Sequence, residues 1–317
     1  MILFFGYATD PALRLAVDAA ERLGESHLLL DQLDLHDCAV LLDDLNEPGG
    51  PSGQVRTPGG TVSLAALDAA YARPLSAVIE EDPADSARGA QIAADVITWL
   101  DTTHSLVVSR PGDMHSNSSK PYQAQLIGAA GFRVPESLIT TDPDEVIAFT
   151  ERVGAVIFKS ISGIRSIVRR LDDGYESRLE RIRVLPTQFQ ALVEGDDIRV
   201  HVVGDEVFAT RIISDATDYR YARRDGVDAD LTPTTLPADV HQRCLDLAAS
   251  LSLPFVGIDL RETPDGEYVC FEANPMPGYS YFESNTGQPI SEALVRLLAG
   301  ATPPEPVAAA AARTESR

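Results

Sequence analysis

The sequence predicts a mixed chain, α/β over its first hundred residues and α+β beyond, organised as two or three subdomains. Three observations carry this. Near the start, apolar strand-like runs alternate with a well-delimited helix. In the second half, strand pairs are joined by Gly-Asp and Asp-Gly, which are hairpin signals. The length of 317 residues, with 44% hydrophobic and 23% charged content, suffices for more than one core.

Taken in order, Ile2 to Tyr7 reads as a first strand. Asp10-Pro11 is an N-cap with proline at the first helical position, opening a helix that runs to Gly24. A short strand spans His27 to Asp31. Glycine and proline clusters at 49–53 and 58–60 flank a hairpin. Ala77 to Ile79 reads as a loop, Ala90 to Leu100 as a helix and Leu106 to Ser109 as a strand. From Asn117 the pattern changes. Helices are expected over Ser119 to Gly131, Pro143 to Gly154 and Val240 to Leu251. Strands are expected over Ala155 to Lys159, Ile164 to Arg170, Thr187 to Val193, Ile198 to Val203 and Val207 to Ile213. The Ala/Pro-rich residues 301–317 are expected to be disordered. The boundaries adopted are an N-terminal α/β domain over 1–104, subdomains over 105–190 and 191–300, and the tail.

Composition narrows the function classes. The formal net charge is −22, from 26 basic and 48 acidic residues, which disfavours a phosphodiester backbone as partner. No run approaches the roughly 18 apolar residues of a membrane helix. The apolar start lacks a basic segment before it, so it reads as a strand and not a signal peptide. Cys38, Cys244 and Cys270 are widely spaced, without metal-binding spacing. A reduced, cytoplasmic protein is expected, with no nucleic acid and no membrane as partner.

The most informative feature is a hairpin of Phe255 to Glu262 with Glu267 to Ala273, joined by Thr263-Pro264-Asp265-Gly266. If Asp265-Gly266 form a two-residue loop, Pro264 faces Glu267 and Asp259 lies opposite Glu272. Asn274, two residues on, shares that face. Opposed carboxylates repel unless a cation lies between them. Asp259, Glu272 and Asn274 offer only oxygen, which suits Mg²⁺, an ion that completes its shell with water and substrate phosphates. A solvated edge hairpin is the plain alternative, and a three-residue loop would flip the parity and remove the argument.

The chain has two lysines, Lys120 at a helix start and Lys159 at a strand end. Lys159 precedes the small loop Ser160-Ile161-Ser162-Gly163, whose amides can lie over phosphate oxygens. Surface lysine is the ordinary reading of each. Gln190, Ala191 and Leu192 lie in an extended segment suited to an adenine edge. Arg199 and Arg211 fall on the hairpin around Gly204-Asp205, where both are expected to reach one face. Tyr219 and Arg220 follow, and arginine forks suit carboxylates and phosphates; cross-strand salt bridges are the alternative.

In order, V-I-F-K-S-I-S-G, F-Q-A-L-V-E-G-D-D-I-R-V-H-V-V-G-D-E-V-F-A, G-I-D-L-R and C-F-E-A-N-P-M-P-G resemble the ATP-grasp fold, nearest the RimK-type and glutathione-synthetase-like ligases. The resemblance covers about residues 105–300 and makes the first domain a pre-ATP-grasp domain. It implies ATP and Mg²⁺, with Mn²⁺ as an alternative. Lys120 and Lys159 would contact phosphates, Gln190 to Leu192 the adenine, and Glu194 or Asp197 the ribose. Arg199 would face the reacting phosphate, and Asp259, Glu272 and Asn274 would hold the metal. The implied reaction is activation of a carboxylate as an acylphosphate with release of ADP, then capture by an amine of an amino acid or peptide. A ribosomal-peptide maturase forming side-chain esters or amides is the alternative, with a non-catalytic nucleotide-binding module as a different class. Related ligases are often dimers or tetramers, so the resemblance implies a homo-oligomer as one expectation. Arg165 is expected to close over phosphate or acyl substrate, and the aromatic loop from Tyr279 to Glu283 to border the acceptor site.

Overall fold

Strand β1 (Ile2–Gly6) is buried along its whole length, as its uninterrupted apolar run requires of a central parallel strand. The structure is a computed structural model and describes residues 1–43, 50–75, 82–160, 169–172, 174, 178–213 and 230–300. The chain divides into two units, residues 1–113 with 289–317 and residues 114–288. After β1, helix α1 (Pro11–Leu23) opens where Asp10 accepts a hydrogen bond from the Ala12 amide at 3.1 Å. Strand β2 (His27–Asp31) pairs parallel with β1. Strands β3 (Ala39–Asp43), β4 (Ser52–Thr57) and β5 (Gly60–Ser63) make a small antiparallel sheet. Strand β6 (Ala69–Arg73), helix α2 (Pro83–Thr102) and strand β7 (Leu106–Val108) complete a parallel sheet of order β2-β1-β6-β7. Leu3, Phe5, Leu35, Trp99 and Leu100 are among its core residues.

Strand β6 had no counterpart among the sequence expectations. Its sequence, A-A-Y-A-R, lacks β-branched residues and ends on a charge. Arg73 is nevertheless buried, because the Asp10 carboxylate pairs with it and the Tyr71 hydroxyl accepts from Nη1 at 3.2 Å. One carboxylate thus caps α1 and neutralises the end of β6.

The second unit begins with helix α3 (Lys120–Ala129). Strand β8 (Ser137–Thr140), helix α4 (Pro143–Val153), and strands β9 (Val156–Ser160), β10 (Arg169–Arg170) and β11 (Thr187–Ala191) follow. They form an antiparallel sheet of order β10-β9-β11-β8, with Val146 and Phe149 of α4 packed on Val156 and Phe189. The site lies in the next sheet. Strands β12 (Asp196–Val203), β13 (Glu206–Ile213) and β14 (Asp230–Thr234) precede helix α5 (Ala238–Ser250), and strands β15 (Phe255–Glu262) and β16 (Tyr268–Asn274) close the order β14-β13-β12-β15-β16. One face packs Ile198, Val200, Val256, Ile258 and Leu260 against Val240, Cys244 and Leu247 of α5. Each such aliphatic side chain, fully buried, contributes about 1.5–3 kcal/mol. The alternate residues, Asp197, Arg199, His201, Gly257 and Asp259, therefore belong to the other face.

Helix α6 (Ser280–Thr286) replaces the aromatic loop expected at Tyr279 to Glu283. Helix α7 (Ile290–Ala299) then belongs to the first unit, where it packs on α1 and Glu292 pairs with Arg22 at 3.5 Å. The tail over 301–317, the loop at 77–79 and most of the strand expected at 164–170 lie outside the described residues. Among the described residues, no helix is long and apolar enough to cross a membrane.

Candidate active site

The hairpin that carries the proposed metal ligands is not the one expected, yet it brings the same residues together. The loop has three residues, not two: the Thr263 amide donates to the Glu267 carbonyl at 2.9 Å, leaving Pro264, Asp265 and Gly266 between them. The register that follows pairs Glu262 with Tyr268 and Leu260 with Cys270. Carried on unbroken, it would set Asp259 against Phe271. A β-bulge instead puts Phe271 and Glu272 together against Asp259, and Asp259 pairs with Glu272. The extra loop residue and the extra strand residue cancel. Beyond the bulge, Ala273 pairs with Ile258 and Asn274 with Gly257.

Across the sheet face opposite α5 the register makes two rows. One runs Thr210, Arg199, Asp259, Glu272; the next runs Phe208, His201, Gly257, Asn274. The opposed carboxylates are each met by a cation. Arg199 Nη1 donates to Asp259 Oδ1 at 2.6 Å, and Lys120 Nζ to Glu272 Oε1 at 2.9 Å. These pairs offset the like-charge repulsion within the protein itself. Asn274 Oδ1 accepts from the Met276 amide at 2.9 Å, which orients the amide over the Pro275-Met276-Pro277 turn. Among the described residues no cluster of three or more His, Cys, Asp and Glu side chains is placed for a metal. The donor set here is two carboxylates and an amide. It is all oxygen, it shares one face, and it suits Mg²⁺ better than zinc.

Helix α3 runs along the outer edge of β16 and reaches it with two side chains one turn apart. Lys120 takes Glu272. Gln123, buried, donates from Nε2 to the Ala273 carbonyl at 2.8 Å and accepts from the Ala273 amide at 3.2 Å. A side-chain amide so completes the backbone pairing of an edge residue between Glu272 and Asn274. Sequence reasoning missed Gln123. The available signal was its position three residues after Lys120 on a helix.

His201 was missed as well. It is fully buried, its Nε2 accepts from Arg199 Nε at 3.4 Å, and its ring meets Phe282 edge-on at 5.0 Å. Burial, and next the Arg199 charge, hold its pKa well below the usual 6.5, so it is neutral. Cys270, buried on the α5 side of the sheet, is pushed well above the ordinary thiol range, chiefly by burial.

Several expectations are corrected. Arg199 and Arg211 do not share a face: Arg211 pairs with Ile198, on the α5 side, and is held by Asp196 at 2.6 Å and by Glu262. Tyr279 is fully buried, edge-on to Phe255 at 5.4 Å, so it packs in the core and does not line an acceptor site. The amides of Ala191 and Leu192 donate to the Glu136 and Ala155 carbonyls at 2.9 and 2.8 Å, so both amides are taken up by neighbouring backbone. Gln190 is buried, with Nε2 donating to Ser137 Oγ at 3.1 Å. Asp197 accepts from Arg261 Nη2 at 2.6 Å, and Glu194 is exposed. Lys159 lies on β9 opposite Gln188 of β11. Ser162, Gly163, Arg165, Tyr219 and Arg220 lie outside the described residues.

Comparison with known proteins gives a consistent result. The model of the RimK-like ATP-grasp domain matches residues 117–298. The "Ribosomal protein bS6--L-glutamate ligase" of Salmonella paratyphi B and that of Salmonella newport are each 27% identical over 193 residues. That match takes in 57% of this chain and 63% of their own length, so less than two thirds of these relatives is spanned. Among solved structures, the ATP-grasp ligase PsnB, complexed with a phosphomimetic variant of a minimal precursor, Mg and ADP, is 25% identical. Its TM-score is 0.78, over 94% of this chain and 97% of its own. A Chryseobacterium gregarium RiPP-associated ATP-grasp ligase, in complex with ADP and a leader and core peptide, is 19% identical with a TM-score of 0.80, over 97% and 99% of the two chains. The macrocyclase MdnC of Microcystis aeruginosa, bound with its precursor peptide MdnA, is 20% identical with a TM-score of 0.77, over 94% and 99%.

Proposed function

Because this chain belongs to the RimK-like ATP-grasp family, we propose that it is an ATP- and Mg²⁺-dependent, ADP-forming ligase that modifies a peptide. The observation that carries the chemistry is the row in which Asp259 and Glu272 stand side by side, each matched to a cation, Arg199 and Lys120. Two anions and two cations on one sheet face suit a ligand that itself combines metal and phosphate. Asp259, Glu272 and Asn274 would hold Mg²⁺, which when bound supplies Lewis acidity and neutralises phosphate charge. Lys120 and Arg199 then exchange their carboxylate partners for phosphate oxygens and stabilise the charge that spreads over the transferring group.

In the reaction, a substrate carboxylate oxygen attacks the γ-phosphorus, the bond to the bridging oxygen of ADP breaks, and an acylphosphate forms. A nitrogen or hydroxyl of the acceptor then attacks the acyl carbon. Phosphate leaves, and the acceptor gives up its proton. Nothing in this scheme needs a protein nucleophile, and the buried thiols of Cys244 and Cys270 are ill placed to serve as one.

The peptide as substrate is supported by likeness over nearly the whole chain to PsnB, which is complexed with a minimal precursor. The sequence match to the glutamate ligases favours a second reading, addition of glutamate to a protein. Incubation with Mg-ATP and candidate peptides, with nucleotide products and peptide mass followed together, tests both. Loss of water from a peptide, with stoichiometric ADP, is expected. A gain of glutamate residues supports the second reading, and AMP with pyrophosphate refutes the acylphosphate route.

A further inference from the structure

Arg199 is buried although charged, and the groups around it define the plane of its guanidinium. Nη1 donates to Asp259 at 2.6 Å and Nε to His201 Nε2 at 3.4 Å. The Phe282 ring centre lies 5.8 Å from Cζ. Below the group is Gly257. A Cβ there would stand 2.0 Å from Arg199 Nη2, 2.6 Å from Cζ and 2.7 Å from Pro277 Cβ. The backbone does not ask for glycine, since Gly257 lies outside the positive-φ set. The guanidinium does. It occupies the space a side chain would fill, in the register position between His201 and Asn274.

We propose that Gly257 and His201 are positioning residues for Arg199: Gly257 leaves the slot in which the guanidinium lies, and His201 sets its rotation by accepting from Nε. Two acceptors at different nitrogens fix a planar fork, and the slot fixes its height above the strand. Such a group meets developing phosphate charge without reorganising. For His201 to accept at Nε2, its proton resides on Nδ1, which among the described contacts has no hydrogen-bond partner. The neutral ring described above is consistent with this. The inference rests on the reading of Arg199 as a phosphate-facing cation.

The test compares Mg-AMPPNP with Mg-ADP binding by calorimetry, because a cation at the reacting phosphate is felt mainly by the triphosphate. Gly257→Ala and His201→Phe are each expected to reduce the preference for AMPPNP by about tenfold or more. His201→Gln, which keeps an acceptor, is expected to restore most of it. The Arg199→Ala/Gly257→Ala double variant is expected to bind as Arg199→Ala alone. A merely structural role would give additive losses, and additivity, or wild-type preference in Gly257→Ala and His201→Phe, overturns the proposal. If Gly257→Ala does not fold, the His201 pair decides. If the wild-type protein shows no preference for AMPPNP, the phosphate-facing reading fails by itself. The slot is then judged by a crystal structure of Gly257→Ala. A guanidinium displaced from Asp259 upholds it, and an undisturbed pair refutes it.

Discussion

The β12–β13 and β15–β16 hairpins are neighbours in one sheet and are built by different rules. In β12–β13 the loop is Gly204-Asp205, and the register runs without interruption from Val203–Glu206 to Asp197–Ile212. In β15–β16 the loop is one residue longer and the strand carries a bulge at Phe271. The first hairpin is a straight two-residue repeat. The second departs from it twice and returns to the same parity. Bulges re-aim side chains, and here the bulge lies against Glu272, where Phe271 also packs 5.3 Å from the Arg261 guanidinium. The regular hairpin supplies a rigid floor bearing Arg199 and His201. The irregular one supplies the anions.

The largest expected effect breaks the irregular hairpin's chemistry outright. Glu272→Gln or Asp259→Asn should lower Mg-dependent ADP release roughly a thousandfold, about 4 kcal/mol of barrier, with circular dichroism unchanged. Next is the device that holds the bulged strand's outer edge. Gln123→Leu leaves the Ala273 amide and carbonyl unpaired, which should cost about 2–4 kcal/mol in urea unfolding and raise the Mg²⁺ concentration needed for half-maximal turnover. The β12 strand has no such dependence, because β13 and β15 cover both its edges.

The regular hairpin carries the pH response. His201 has a folded-state pKa below its unfolded value of 6.5. The unfolded chain therefore binds the extra proton as pH falls. The His201 contribution is complete above about 6.5 and declines by about 1.4 kcal/mol per pH unit below it. Denaturation curves at pH 7.5 and 5.5 for wild type and His201→Phe should show this difference, and the slope should flatten in the variant. The loops differ more finely. Gly204 and Gly266 have φ of 56° and 81°, so alanine at either should cost about 1 kcal/mol. Only Gly266→Ala should also change the Mg²⁺ requirement, since only that loop sets the register of Glu272. Smallest is the exposed Arg133–Glu267 pair at the irregular turn: Glu267→Gln should alter stability by no more than about 0.5 kcal/mol.

Much of this was legible in the sequence. Asp-Gly and Gly-Asp marked both hairpins, and alternation from Glu272 to Asn274 set two proposed ligands on one face. Even so, Asp259 met Glu272 by way of a loop and a bulge, because local pattern reports parity and not its route. Strand β14 went unread since Pro233 argues against a strand; it is tolerated there because β14 is the sheet's edge. Helix α6 was hidden behind Pro275, Pro277 and Gly278, which signal a loop but end just before it. Arg211 was set on the wrong face by treating two arginines of a hairpin as equivalent, when the register sets them one step out of phase. Gln123 and Gly257 matter through what they touch across 150 and 58 positions of chain, which no local window contains.

Helix α7 has a consequence for how the molecule is made. It belongs with α1, yet the whole of residues 114–288 is synthesised between them. A growing chain emerging from the ribosome can finish the second unit while the first still lacks a helix. The usual order, in which the amino-terminal portion matures first, is therefore inverted. The part of α1 that α7 covers waits until residues 290–299 are made, so the first unit closes after the second can.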